Sequence, residues 1–359
     1  MHHLKYVSAR YIFSVLLFAA LTLFSCSEDD NEPADPKELE DVDYVAGIGV
    51  NAAGDPVATV WRAGVPTPLL ATYPEALVYN SAAFGMDVVG KDVYVCGVLF
   101  TSKGNFPIYW KNGSAGILGP GNGQATAIFV VDDDIYVTGI IADGTGYSYG
   151  VLWKNGNIDY LTEGNIYSSA SAVVVSGNDV YVGGNVHEEG ETHAAYWKNG
   201  NPVLLTSGSL SAYVTSLALV GADVYTTVID DGDETAKYWK NNQPVSLGDG
   251  TVNASVSCVH ADGSDVYFAG TRRNGDSIDV IVWKNNAVVT TTPMPVFDIE
   301  ISKLLARENV ILLVGTVVND NVNPVHSDAT IWTNGEPNVL ERGSDGVNTL
   351  FATSIDSGN

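Results

Sequence analysis

Short runs of alternating hydrophobic and polar residues recur along most of the chain, once in every 42 to 49 residues. The clearest run lies at Asp92–Gly97 and reads DVYVCG; close copies lie at Asp134–Gly139, Asp179–Gly184, Asp223–Val228 and Asp265–Gly270. Alternating valine and tyrosine is typical of a β-strand. A second strand-like run precedes each copy, and turn residues such as Ser-Gly-Asn or Asp-Gly-Ser separate the two, which predicts a tight antiparallel hairpin.

All seven tryptophans stand in a second repeated phrase, which follows the first. It reads WRAG at Trp61, WKNG at Trp110, Trp153 and Trp197, WKNN at Trp239 and Trp283, and WTNG at Trp332. Asn-Gly is a strong hairpin signal, and a short apolar segment follows it. Each unit therefore has four antiparallel strands, named first to fourth along the chain. A residue found in every unit is explained by folding, so we expect site residues where the units differ.

Four strands per unit at this period predict the blades of a propeller. The region begins at Val42 with a second strand and ends with a first strand at Val347–Ile355, so we expect these two to pair. The predicted fold is all-β: a seven-bladed β-propeller of four-stranded antiparallel blades over residues 42–359, closed by the C-terminal strand completing the N-terminal blade. Small residues suit the crowded innermost strands, and they occur at Gly85, Ala127, Ala172, Ser216, Cys258 and Ser302.

The repeated pattern, a small and apolar strand followed by Gly-Asn and Val-Tyr-Val-x-Gly, resembles the seven-bladed propeller repeats of secreted bacterial proteins. The resemblance covers residues 42–359. It implies the propeller fold and no particular activity, so function has to be argued from site residues.

Residues 1–25 have the features of a signal peptide. Lys5 and Arg10 precede an apolar stretch, Tyr11–Leu23, that is too short to span a bilayer comfortably. The following Leu-Phe-Ser-Cys resembles a bacterial lipoprotein signal, although Phe24 replaces the usual small residue. The resemblance implies that Cys26 is lipidated; an ordinary secretory signal is the alternative. Residues 26–41 are acidic and contain proline, which predicts a flexible linker.

The acidic run after Cys26 resembles an export signal of surface-displayed lipoproteins in some Gram-negative bacteria, and a plain solvated spacer is the other interpretation. We therefore expect a cell-envelope protein that is lipid-anchored to the outer membrane, with surface exposure left open. We expect a monomer whose only membrane contact is the anchor.

The net charge of −25 disfavours nucleic acid and anionic membrane surfaces as partners. Removal of residues 1–25, which hold two cations and no acid, makes it −27. Cys96 and Cys258 lie in different blades, so we expect two buried free thiols and no disulfide.

Five aromatic residues lie in or beside the predicted connections between blades. Because these connections lead into the innermost strands, the rings could gather near the central funnel and stack on a sugar or an apolar ligand. Capping of the blade interfaces is the alternative. The candidates for ligand binding are Tyr73, Tyr79, Tyr167, Tyr213 and Phe297.

Two predicted connections between second and third strands contain residues that can ligate metals. His187 and His193 lie in one, and Asp230, Asp231 and Asp233 lie in the next. Neither spacing matches a defined site, so solvated polar loops are favoured over a metal site. Calcium is the ion that the aspartates could hold, and no other cofactor is expected.

The sequence contains no G-x-S-x-G, H-E-x-x-H or phosphate-loop motif. Our leading hypothesis is a binding or interaction module whose variable loop face holds a glycan or another envelope protein. The alternatives are an envelope enzyme acting on a polysaccharide and a purely structural surface protein. Two carboxylates about 5–10 Å apart at the bottom of a funnel would favour the enzyme.

Overall fold

The computed structural model describes residues 43–357, except residues 75, 120, 145, 164–165, 208–210, 231–234, 249–252, 309, 320–325 and 343–350. The predicted signal peptide, Cys26 and the linker therefore lie outside the described residues. The described part of the chain contains strands and no helix, and so no helix able to cross a membrane.

Seven four-stranded antiparallel sheets form the blades, each ordered from the innermost to the outermost strand. Strands are numbered in chain order. Blade 1 comprises β28 Phe351–Ser357, β1 Asp43–Val50, β2 Pro56–Arg62 and β3 Val65–Pro68; blade 2, β4 Val78–Val89, β5 Asp92–Thr101, β6 Gly104–Lys111 and β7 Ser114–Ile117; blade 3, β8 Gly123–Val131, β9 Asp134–Ala142, β10 Ser148–Lys154 and β11 Asn157–Tyr160; blade 4, β12 Tyr167–Ser176, β13 Asp179–Glu188, β14 Glu191–Lys198 and β15 Asn201–Leu204; blade 5, β16 Ala212–Val220, β17 Asp223–Asp230, β18 Lys237–Lys240 and β19 Gln243–Ser246; blade 6, β20 Ala254–Asp262, β21 Asp265–Asn274, β22 Ser277–Lys284 and β23 Ala287–Met294; blade 7, β24 Asp298–Arg307, β25 Val310–Asn319, β26 His326–Thr333 and β27 Glu336–Arg342.

The C-terminal strand closes the ring as predicted. β28 pairs antiparallel with β1, with Ile355 opposite Val45. The innermost strands contact one another in cyclic order, from β28 and β4 round to β24 and β28. The predicted all-β, seven-bladed β-propeller is thus confirmed.

A hydrophobic cluster fills each interface between neighbouring blades, and each of these seven clusters contains one tryptophan. All seven indoles are at most 2% exposed. Two of them also reach across the interface, since Trp110 Nε1 donates to Leu70 O at 3.3 Å and Trp239 Nε1 donates to Leu205 O at 3.0 Å. Replacing a buried tryptophan by alanine typically costs about 3–5 kcal/mol. The repeated tryptophan therefore holds blades together.

The repeated aspartate ties two turns of its blade together. In blade 3 Asn155 donates to Asp134 Oδ1 at 2.7 Å and accepts from Ile135 N at 2.8 Å. Lys154 Nζ lies 2.7 Å from Asp134 Oδ2 and 4.9 Å from the centroid of the Tyr136 ring. Hydrogen bonds from Lys154 and Asn155 hold the pKa of Asp134 below its usual value. Equivalent bonds surround Asp92, Asp179, Asp223 and Asp265.

The predicted small position of the innermost strand is wrong in blade 7. Arg307 pairs with Val310, which shifts the register by one residue, so Lys303 and not Ser302 occupies that position. β25, the strand that pairs with the innermost strand β24, begins at Val310.

One further boundary differs from the predicted one. β28 continues to Ser357, past the predicted end at Ile355.

Both cysteines of the described residues are free and buried, as predicted. Burial raises the pKa of each thiol, that of Cys258 to about 12. Cys96 and Cys258 therefore remain neutral and serve as small apolar residues of the core.

Candidate ligand-binding site

The connection between β9 and β10 of blade 3 is folded around Asp143. The Asp143 carboxylate accepts hydrogen bonds from Tyr147 N at 3.4 Å and from the Tyr149 hydroxyl at 3.2 Å. Desolvation and the Asp143 charge raise the pKa of Tyr149. The phenol therefore stays protonated and donates, while the negative charge stays on the aspartate.

Four tyrosines form a continuous line of ring contacts, which we call the tyrosine row. The ring centroids of Tyr160 and Tyr149 lie 6.0 Å apart, those of Tyr149 and Tyr147 6.5 Å, and those of Tyr147 and Tyr167 4.5 Å. His187 continues the line at 5.9 Å from Tyr167. The two ends of the row are the most accessible, with Tyr160 51% and Tyr167 38% exposed. The row joins blade 3 to the start of blade 4.

An open cleft of about 910 Å³ lies beside the row, and we call it the tyrosine cleft. Tyr149 and Tyr160 supply aromatic surface to its lining. Asp143, Asp159 and Glu163 supply carboxylates. This volume is in the range of small-molecule sites, and the mixture of rings and a few polar groups is typical of them.

A second cavity of about 610 Å³, the edge groove, lies between blades 3 and 4. It shares two lining residues, Asp159 and Tyr160 of the outermost strand β11, with the tyrosine cleft. The two cavities therefore meet at the outer edge of blade 3.

The five predicted aromatic candidates have different surroundings. Tyr167 lies in the tyrosine row. Tyr73 packs on Phe106 in the hydrophobic cluster between blades 1 and 2, with ring centroids 4.1 Å apart. Tyr73 therefore caps a blade interface, as the alternative hypothesis expects. The remaining three lie at the start of innermost strands and are exposed or half-buried: Tyr79, Phe297 and Tyr213.

The predicted metal candidates of blade 4 lie in strands and not in a loop. His187 pairs with Thr192, and His193 pairs with Val186, so the two imidazoles leave opposite faces of the sheet. His187 Nδ1 lies 3.1 Å from Thr192 Oγ1, and His193 Nδ1 lies 3.1 Å from Thr206 O.

In blade 5 Asp230 ends β17, while Asp231 and Asp233 lie outside the described residues. Among the residues that the structure describes, no group of three or more histidine, cysteine or acidic residues could hold a metal ion.

Two carboxylates meet beside the central channel. Asp356 of β28 accepts from Val88 N at 2.7 Å, Asp87 of β4 accepts from Val130 N, and the two carboxyl groups are hydrogen-bonded. Burial and the charge of Asp356 raise the pKa of Asp87 to about 7. A cavity of about 90 Å³ among the innermost strands is lined by neither carboxylate and has room for only a few water molecules. Direct contact of the two carboxyl groups differs from the separation of about 5–10 Å set out for a polysaccharide-cleaving pair.

Sequence reasoning identified Tyr167 but missed the other three tyrosines of the row and the carboxylates of the cleft. A signal was present, since Tyr-Ser-Tyr in residues 147–149 has no counterpart in the other repeats. A second signal is Asp159-Tyr160 at the end of a fourth strand, where blade 4 has Val203-Leu204.

The fold and this site define a β-propeller with an acidic, tyrosine-lined cleft on one blade. No family model matches the chain, and no curated protein is similar to it. Among solved structures, a puromycin-hydrolyzing peptidase of Mycobacterium tuberculosis is similar, with a TM-score of 0.54 and 13% identity. The similarity covers 89% of this chain and 56% of that one, so this chain spans little more than half the peptidase's length.

Two further structures are similar at lower scores. The β-propeller domain of the Trilobed protease from Pyrococcus furiosus has a TM-score of 0.49 and 10% identity, over 84% of this chain and 95% of that domain. TolB from Acinetobacter baumannii has a TM-score of 0.45 and 12% identity, over 86% of this chain and 83% of that one. At such identities the likeness concerns the fold alone.

Proposed function

We propose that this protein is a binding module and that its ligand is a glycan held in the tyrosine cleft of blade 3. The observation that carries the proposal is the tyrosine row beside an open cleft lined with carboxylates.

The chemistry of the cleft suits a saccharide. A sugar ring has an apolar face of C–H groups, which packs on an aromatic ring, and a rim of hydroxyls, which donate to carboxylates. Tyr160 offers an exposed ring, and Asp159, which precedes it in β11 and also lines the cleft, offers acceptor oxygens. The Asp143 hydrogen bonds keep Tyr149 oriented before a ligand arrives. Such preorganisation reduces the entropy lost on binding.

Screening of residues 42–359 on a glycan array, followed by calorimetry on the best ligand, tests this proposal. Tyr160→Ala should raise the Kd about tenfold or more, because it removes one stacking surface. Leu204→Ala is the matched control: Leu204 holds the corresponding place in blade 4 and is also exposed. Its Kd and the melting temperatures of both variants should stay at the parent values. Equal Kd values for both variants, or no saccharide bound at all, would contradict the proposal.

We also propose that Cys26 anchors the module to the outer membrane through a lipid. The lipoprotein-like residues 23–26 and the acidic residues that follow support this. A Cys26→Ser variant of the full chain should leave the membrane fraction and lose metabolic labelling by fatty acid. Membrane retention of that variant would overturn the anchor without affecting the proposal for the cleft.

A further inference from the structure

The cavities on both sides of β11 have an excess of negative charge. Asp143, Asp159 and Glu163 line the tyrosine cleft, and no lysine, arginine or histidine is among its described lining residues. The edge groove adds Asp132, and a further aspartate of its lining, Asp134, is paired with a lysine. An anionic ligand would be repelled, and a neutral one could donate hydrogen bonds to these carboxylates but would not compensate their charge.

The one cation that lines the edge groove is already paired. Lys154 Nζ lies 2.7 Å from Asp134 Oδ2 and 4.9 Å from the centroid of the Tyr136 ring. This arrangement belongs to the repeated turn structure found in most blades. Lys154 therefore does not neutralise Asp159 or the carboxylates of the tyrosine cleft.

Aromatic rings and carboxylates lie on both faces of β11. On one face Tyr160 lies near Tyr149, whose hydroxyl donates to Asp143. Asp159 precedes Tyr160 in the strand, so its side chain leaves the opposite face. An ammonium group beside a tyrosine ring gains cation–π attraction, and a carboxylate within reach adds a charge-assisted hydrogen bond. Rings and carboxylates on both faces of the strand suit a ligand that repeats the same apolar face and the same positive charge.

We propose that the ligand is a glycan of repeating amino sugars whose amines are free and protonated; this inference rests on the proposed function above. Each sugar unit places its C–H face on a tyrosine and its ammonium group against a carboxylate. The tyrosine cleft and the edge groove share Asp159 and Tyr160. The glycan can therefore pass over the edge of blade 3, so that several of its sugar units bind together.

Calorimetry with two ligands of equal length tests the inference: a glucosamine oligomer with free amines and its fully N-acetylated form. The free-amine oligomer should bind about tenfold more tightly, and added salt should reduce this preference. Asp159→Asn should lower the preference by about threefold or more. Asp276→Asn, which removes an exposed carboxylate in blade 6, is the matched control and should leave it unchanged.

The outcomes separate the two levels of the proposal. If both oligomers bind equally well, the cationic preference is overturned and glycan binding at the cleft stands. If neither oligomer nor any other saccharide binds, the proposed function fails and this inference fails with it. A lysine-rich peptide that binds more tightly than the glucosamine oligomer, and loses affinity on Asp159→Asn, would identify a basic polypeptide as the ligand and overturn the inference.

Discussion

Asn155 holds a backbone conformation that most residues avoid while its side chain joins two turns of blade 3. Its φ is 51°, and that of Gly156 is 81°, so both lie in the left-handed region needed for a tight two-residue hairpin. Blade 1 has an alanine, Ala63, at the same place with a φ of 48°. An alanine there has no amide to reach the neighbouring turn.

Asn155→Ala should lower the free energy of unfolding by roughly 1–3 kcal/mol, because the left-handed conformation becomes costly and two hydrogen bonds are lost. Ala63→Asn is the reverse change in blade 1 and should raise it by up to about 1 kcal/mol. Urea denaturation of both variants measures the difference. Unchanged stability of the first variant would show that the bridge between turns is not stabilising.

The Asn-Gly pair at Asn155-Gly156 predicted the hairpin in which Asn155 lies. The direct hydrogen bond from Asn155 to Asp134 could not be predicted from local pattern, since the two residues lie in different turns that only the folded blade brings together. For a related reason, the small position of blade 7 was assigned to Ser302, whereas Lys303 occupies it. The turn before Val310 shifts the register by one residue, and strand alternation alone does not reveal such a shift.

At the scale of the strand pair, the last glycine of the repeated phrase permits a close approach of two backbones. A Cβ on Gly184 would lie 1.9 Å from Ser169 O of the innermost strand. Gly97 and Gly270 have the same relation to their own blades. A β-bulge between Ala170 and Ala172 accompanies this approach. The glycine is therefore a packing requirement of the blade.

Gly184→Ala should destabilise the protein by about 1–3 kcal/mol, because β12 and β13 must move apart. Gly119→Ala is the control, since its Cβ would meet only Trp153 Nε1, at an ordinary distance of 3.6 Å. Thermal and urea unfolding of the pair give the comparison. If both variants were equally stable, the close approach would not constrain the blade.

Strand patterns alone do not determine which tyrosines of the candidate site contact one another. Tyr160 ends a fourth strand, Tyr149 lies in a third strand, and Tyr167 begins the next blade. Propeller topology predicted that Tyr167 lies near the loop face. The ring contact between Tyr167 and Tyr147 depends on where the connection holds Tyr147, whose backbone N–H donates to Asp143.

At the scale of the whole ring, Asp356 of the closing strand contacts Asp87 of blade 2. The charged groups around Asp87 are Asp356 and, more weakly, Lys303 of blade 7. Burial and Asp356 raise the pKa of Asp87 from 3.8 to about 7. Between these pH values the folded protein retains a proton that the unfolded chain has released. The stabilisation that protonated Asp87 contributes to the folded protein is therefore fully present below pH about 4, and it is lost as the pH rises to about 7.

Asp87→Asn should remove this pH dependence, because an amide donates to Asp356 at every pH without ionising. The free energy of unfolding of the variant, relative to the parent, should rise by on the order of 2–4 kcal/mol between pH 4 and pH 8. Urea titrations at a series of pH values provide the measurement. A difference between the two proteins that stays constant with pH would contradict the shared proton.

The central claim is that a glycan binds where blade 3 differs from the other blades. A crystal structure of residues 42–359 with a glucosamine oligomer tests this most directly. We predict sugar rings packed on Tyr149 and Tyr160, with amines beside Asp143 and Asp159. Sugar bound instead at the mouth of the central channel near Tyr213, or a tyrosine cleft that stays empty at saturating oligomer, would contradict the claim.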